Sequence, residues 1–102
     1  MNFHQLRIIH ETVRHNYHLT GAANALLTSQ SGLSKHIKDL EDELGVELFL
    51  RKGKRLLGLT PPGKEVVKIV ERILLDVKNV KHLAEHFNKQ EQGRLTVAIT
   101  HT

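Results

Sequence analysis

The chain has 102 residues, enough for one small domain with a modest core. Lys and Arg outnumber Asp and Glu by 15 to 11, a net +4 that points to an anionic partner. The lack of cysteine excludes a disulfide framework and a thiolate zinc site and fits a cytoplasmic protein; no apolar run approaches the roughly 20 residues of a membrane span, and the opening MNFHQLRIIHE has no signal-peptide pattern.

The spacing predicts a first helix over residues 3–17, with Asn2 as its N-cap. Phe3, Leu6, Ile9, Val13 and Tyr17 form its core-facing stripe. A short second helix starts at Leu19-Thr20-Gly21-Ala22-Ala23, with Thr20 as the expected cap and Ala22, Ala23 and Leu26 facing inward. It ends near Leu27, and Thr28-Ser29 forms the connection. Ser29 is a good cap for a third helix running to Leu44, where Leu33, Ile37, Leu40 and Leu44 recur at helical spacing. Gly45 suits a left-handed C-cap.

The third helix sorts its charges. Lys35, His36 and Lys38 come first, then Asp39, Glu41, Asp42 and Glu43. Two helices joined by a three- or four-residue turn, with small residues where they cross, make a helix-turn-helix pattern. In that motif the start of the second helix meets base edges in the major groove, which accounts for the sorting. The acidic run 39–43 is read as a solvated face.

After Gly45, Val46–Leu50 and Leu56–Leu59 read as two strands around a turn at Gly53. Arg51, Lys52, Lys54 and Arg55 make that turn cationic. Such a wing can clamp phosphates or enter a minor groove; the plainer alternative is a charged turn that blunts a sheet edge. Thr60 caps a last helix, with Pro61 at its first position. That helix runs to about Asn88 or Lys89. Val66, Val70, Ile73, Val77, Val80, Ala84 and Phe87 form an unbroken heptad stripe, expected to pair with a second copy. The alternative is that the helix folds onto its own domain. Gln90–Gly93 is a polar break, and residues 94–102 alternate like a strand that opens a further domain.

Ala22-Ala23, Leu26, Ser29-Gln30-Ser31-Gly32-Leu33-Ser34-Lys35-His36-Ile37, Leu40-Glu41, Leu44-Gly45, Phe49, Arg51, Thr60 and Gly63 together resemble the N-terminal domain of LysR-type transcriptional regulators. The resemblance covers residues 2–89. The run from Thr28 to Ile37, the Arg-Lys-Gly-Lys-Arg wing and the Thr-His-Thr ending look like the CysB/Cbl subgroup, which controls sulfur assimilation. Many relatives carry Arg where this chain has Lys35; Lys keeps the charge but loses the bidentate fork.

The resemblance implies a mainly α fold: a winged helix-turn-helix of three helices plus a hairpin over residues 1–60, then a long dimerisation linker helix over 61–89. Residues 90–102 would be a hinge and the first strand of a truncated effector-binding domain. It further implies a homodimer, usually a tetramer at full length. Thr100 and Thr102 would stand at the edge of a small-molecule pocket whose other walls are absent. The expected partner is double-stranded DNA carrying an inverted repeat. Gln30, Ser31, Ser34 and Lys35 are candidates for base edges. His36 and Lys38 would reach or flank phosphates, as would Thr20, Thr28 and Ser29 at the helix starts and Arg51, Lys52, Lys54 and Arg55 on the wing.

Other chemistries find little support. His82 and His86 share a helix face but lack an evident third metal ligand beyond Glu85, so no metal and no cofactor are expected. No nucleophile elbow, phosphate loop or cleft of paired carboxylates suggests an enzyme. A pure coiled-coil interaction module would bind no DNA, and the cationic wing argues against it. RNA binding lacks exposed aromatic residues for stacking.

Overall fold

A computed structural model describes residues 1–93. The elements, in order, are α1 (Phe3–Arg14), α2 (Leu19–Ala25), α3 (Gln30–Leu44), β1 (Phe49–Lys52), β2 (Arg55–Leu59) and α4 (Pro61–Gly93). The expected mainly α winged helix-turn-helix followed by one long helix is what the chain forms. Thr100 and Thr102 lie outside the described residues.

Local chemistry sets the ends. Asn2 caps α1 through a capping box: its side chain accepts from the Gln5 N–H at 2.8 Å, and the Gln5 side chain accepts from the Asn2 N–H at 3.2 Å. Helix α1 stops at Arg14, earlier than the expected residue 17, because Asn16 and Tyr17 both take left-handed backbone, with φ of 55° and 67°. The chain turns there, and the Tyr17 ring meets Phe49 edge-on at 6.2 Å. The cap of α2 is His18, with no side-chain cap bond, so Thr20 sits inside the helix rather than ahead of it. Past α2, Leu27 adopts φ of 55° and the Thr28 N–H donates back to the Ala23 carbonyl at 3.0 Å. Ser29 caps α3 by accepting from the Gly32 N–H at 3.0 Å, and Gly45 ends it at φ of 73°.

The chain divides into two compact units, Met1–Arg72 and the residues from Ile73 onward. The first unit is built around Ile8 and Ile9 of α1, Leu19, Ala22 and Ala23 of α2, and Leu33, Ile37 and Leu40 of α3, with Leu48, Phe49 and Val67 completing the core. The inward face of α1 keeps Leu6, Ile9, Val13 and Tyr17 of the expected stripe and widens to Gln5, Ile8 and Thr12, whereas Phe3 is 44% exposed. Thr12 satisfies its hydroxyl by donating to the Ile8 carbonyl at 2.7 Å.

β1 and β2 pair antiparallel around Gly53, which takes φ of 62°. Leu50 faces Gly58 and Arg51 faces Leu56, so Leu57 is an extra residue in β2, a bulge that twists the hairpin. The start of α4 is pinned beneath this hairpin. Thr60 donates its backbone N–H to the Leu48 carbonyl at 3.0 Å and its hydroxyl to the Glu47 carbonyl at 2.5 Å. The same hydroxyl accepts from the Gly63 N–H at 3.0 Å, as the expected cap should. Close approach demands glycine at 63: a Cβ there would lie 2.0 Å from the Leu48 carbonyl oxygen.

This seating changes the reading of the heptad stripe. Val70 is 2% exposed and Val66 packs against the core cluster, so both belong to the first unit's interior rather than to a seam for a second copy. The first turns of α4 complete the core that the preceding residues leave open on one side. Beyond them α4 exposes Ile73, Val80 and Phe87 at 39%, 67% and 55%. Leu83, also exposed, flanks them, while Val77 is half-buried. No helix of the described residues is long and apolar enough to cross a membrane.

Candidate nucleic-acid interface

The N-terminal half of α3 and the hairpin face each other across an open groove of about 700 Å³. Gln30, Ser31, Ser34 and Lys38 line it from α3, and Arg51, Gly53, Lys54 and Leu56 from the wing. The i, i+1, i+4, i+8 spacing puts the four α3 residues on one helix edge. Ile37, 1% exposed, forms part of the floor. A second groove opens beside it, lined by Asn16, His18 and Thr20 on one side, Gln30 at the corner, and Lys54 and Arg55 on the other. Gln30 and Lys54 therefore belong to both.

The charge in this region is one-sided. Among the described residues Lys52, Lys54 and Arg55 have no acidic partner. Lys38 approaches Asp42 at 3.6 Å, but both side chains are mostly exposed, and such a pair holds loosely enough to be exchanged for a stronger anion. Lys35 is exposed on the next helix edge, lining neither groove. Ser29 already uses its hydroxyl as the α3 cap and lies 3.4 Å from the Ser31 hydroxyl, with half-buried Thr28 beside it.

Three expectations need correction. His36 does not point to the groove: its ring stacks edge-on against His4 of α1 at 5.2 Å, and its Nδ1 is buried without a hydrogen-bond partner. Glu41 is not a solvated member of the acidic run. It is 5% exposed and accepts from the Leu48 N–H at 2.6 Å and the Phe49 N–H at 3.2 Å. Arg51, assigned to phosphate, donates instead to that carboxylate through Nη2 at 2.6 Å and Nη1 at 3.3 Å. Burial alone would raise the Glu41 pKa; the Arg51 hydrogen bonds, the two backbone donors and the Arg51 charge outweigh it and hold it below its ordinary value.

Glu41 carried a sequence signal. It falls four residues after Ile37, on the stripe of Leu33, Ile37 and Leu40, and a carboxylate on an apolar face needs a partner. His18, at the N-cap of α2, lines the second groove, and no residue-type rule singles it out as a groove residue. Among the described residues no cluster of three His, Cys, Asp or Glu side chains could hold a metal. His86 instead meets Gln90 at 3.2 Å.

The family described as bacterial regulatory helix-turn-helix protein, lysR family, matches residues 3–64. The HTH-type transcriptional regulator SsuR of Burkholderia cenocepacia is 60% identical over the whole chain, which covers 33% of that protein. The HTH-type transcriptional regulator cbl of Escherichia coli is 58% identical over the whole chain (32% of its own length), and CysB of Burkholderia cenocepacia is 54% identical (33%). The chain thus spans about a third of the length of these curated relatives. Among solved structures, the BenM DBD/catB site 1 DNA complex has a TM-score of 0.80 at 26% identity, covering 89% of this chain and 96% of that one. The CbnR DBD–DNA complex has a TM-score of 0.74 at 26% identity, covering 84% and 97%. With most of its length matched by the family, this chain belongs to the lysR family of bacterial regulatory helix-turn-helix proteins.

Proposed function

We propose that this chain binds double-stranded DNA sequence-specifically and regulates transcription, reading an inverted repeat as a homodimer. One observation carries the proposal: Gln30, Ser31, Ser34 and Lys38 share a groove wall with cationic Lys54 facing them. Hydrogen-bonding side chains on one edge of an exposed helix suit base edges, and the facing cations suit the flanking phosphates. Gln30 matches adenine in a bidentate mode, while Ser31 and Ser34 are more permissive. Lys35, Lys52, Lys54, Arg55 and Thr20, with His18 beside them, serve the backbone. Ser29 and Thr28 act by fixing the start of α3. The DNA complexes of the BenM and CbnR domains support the reading, since their chains share this fold closely.

Two copies would pair through the apolar side chains that α4 exposes, Ile73, Val80 and Phe87, joined by Ile69 and Leu83. Val77 and Ala84 lie between them on the heptad stripe. Two-fold pairing is what makes an inverted repeat the natural site. Regulation rather than catalysis, in the cytoplasm, and of sulfur-assimilation genes, is supported by the relatives named SsuR, cbl and CysB.

The test is fluorescence anisotropy with labelled duplexes carrying a sulfur-gene inverted repeat or its scrambled form, at several salt concentrations. The repeat should bind more tightly, and affinity should drop on the order of a thousandfold between about 50 and 200 mM salt. Equal affinity for both duplexes would refute sequence-specific regulation.

A further inference from the structure

We infer that the Glu41–Arg51 pair is a positioning device that holds the wing at a set distance from the reading edge of α3, so that wing contacts and base contacts form as one coupled event. The inference rests on the DNA-binding reading above and deepens it.

Glu41 stands on the C-terminal half of α3, three residues beyond Lys38 of the groove wall. Its carboxylate takes two backbone N–H groups at the start of the hairpin and two guanidinium N–H groups from within β1. Four donors therefore converge from a strand onto one side chain of a helix. The backbone pair fixes where β1 begins. The guanidinium pair fixes how β1 leaves, because Arg51 is the residue just past the bulge where the register slips. The bulge twists the hairpin, and the two-pronged bond holds that twist.

The geometry separates Arg51 from its neighbours. Lys52, Lys54 and Arg55 are exposed and lack acidic partners among the described residues, whereas the Arg51 side chain is 32% exposed with a carboxylate against it. With the Arg51 charge matched by the Glu41 carboxylate, the pair presents little net charge to a phosphate. Yet Arg51 lines the groove beside Lys54, so moving it moves the wall that carries Lys54. A lysine at 51 would keep the charge but lose the planar fork that sets the strand's direction.

A double-mutant cycle on DNA binding tests this. Lys54→Ala is measured against the inverted repeat in the wild-type background and in Arg51→Met and Arg51→Lys, with circular dichroism confirming the fold of each. In the wild-type background Lys54→Ala should weaken binding about tenfold, the scale of one charge-assisted contact. With Arg51→Met or Arg51→Lys already in place, the same change should cost less than twofold, since the wing no longer sits where Lys54 can reach. Arg51→Lys carries the cycle alone if Arg51→Met does not fold. Full additivity of the two changes, or restoration of wild-type affinity and coupling by Arg51→Lys, would show Arg51 to be an ordinary phosphate cation and overturn the inference. Wild-type protein that binds no duplex would overturn the DNA reading, and this inference with it.

Discussion

Replacing Gly63 by alanine puts a methyl group where the structure has a carbonyl. The new Cβ would lie 2.0 Å from the Leu48 oxygen, 2.9 Å from its carbonyl carbon and 3.1 Å from its Cα. All three are backbone atoms, so no rotamer change relieves the clash; the first turn of α4 must move by roughly an ångström to restore van der Waals contact. That displacement stretches two bonds made by Thr60, its N–H to Leu48 and its hydroxyl to Glu47. Losing both costs about 2 kcal/mol, and leaving the buried Leu48 oxygen without its partner adds about 1 kcal/mol more. Alanine returns about 1 kcal/mol through its helix propensity. The net expectation is a destabilisation of about 2 kcal/mol, read from urea unfolding by circular dichroism at one protein concentration. Gly58→Ala is the control, because nothing lies within 4 Å of a Cβ at that position. An unfolding midpoint for Gly63→Ala equal to or above wild type would refute the close-approach argument.

Three more outcomes follow from the geometry. Leu27→Gly should stabilise the protein by about 1 kcal/mol in the same assay, because Leu27 is 94% exposed and sits at φ of 55°, where a side chain costs energy and buries nothing; a loss of stability would mean that Leu27 has a packing role. Glu41 has a folded-state pKa below its unfolded value, so its contribution is fully present above the ordinary carboxylate value of 4.5 and disappears as the pH falls below it. Melting temperatures between about pH 6 and 3 should therefore decline less steeply in Glu41→Gln than in wild type; parallel declines would count against the ion pair as the acid-sensitive element. For α4, Val80→Asp should yield folded monomers by analytical ultracentrifugation, whereas Val70→Asp should unfold the first unit, since Val70 is 2% exposed and Val80 67%. A folded Val70→Asp monomer would show that Val70 faces a second copy after all.

The helical skeleton was legible because its signals are local. Ser29, Gly45, Thr60 and Gly53 each act within a turn of their own position, and each does what its residue type implies. Asn16 and Tyr17 were not legible as the end of α1, because nothing nearby forbids two more helical residues, and the contact Tyr17 makes from this turn is with Phe49, remote in the chain. The heptad stripe misled at its first two positions for a related reason. Period alone cannot say which apolar helix face meets its own domain, and the answer at Val66 and Val70 depends on the close approach that Gly63 permits. In the candidate site, Gln30, Ser31, Ser34, Lys38 and Lys54 converge on one groove because helix spacing and hairpin length already constrain them. Arg51 and His36 could not be told from their charged neighbours by sequence. Their environments come from Glu41 and His4, both remote in the chain.

The burial of Val67 and Val70 has a practical consequence for anyone transplanting this reading head onto another oligomer. A graft cut at Thr60 would keep every residue of both grooves and still lose Gly63, which packs on Leu48, and the buried Val67 and Val70. The first compact unit runs to Arg72. The fusion junction therefore falls inside a helix, and the new partner must continue that helix rather than follow it with a loop.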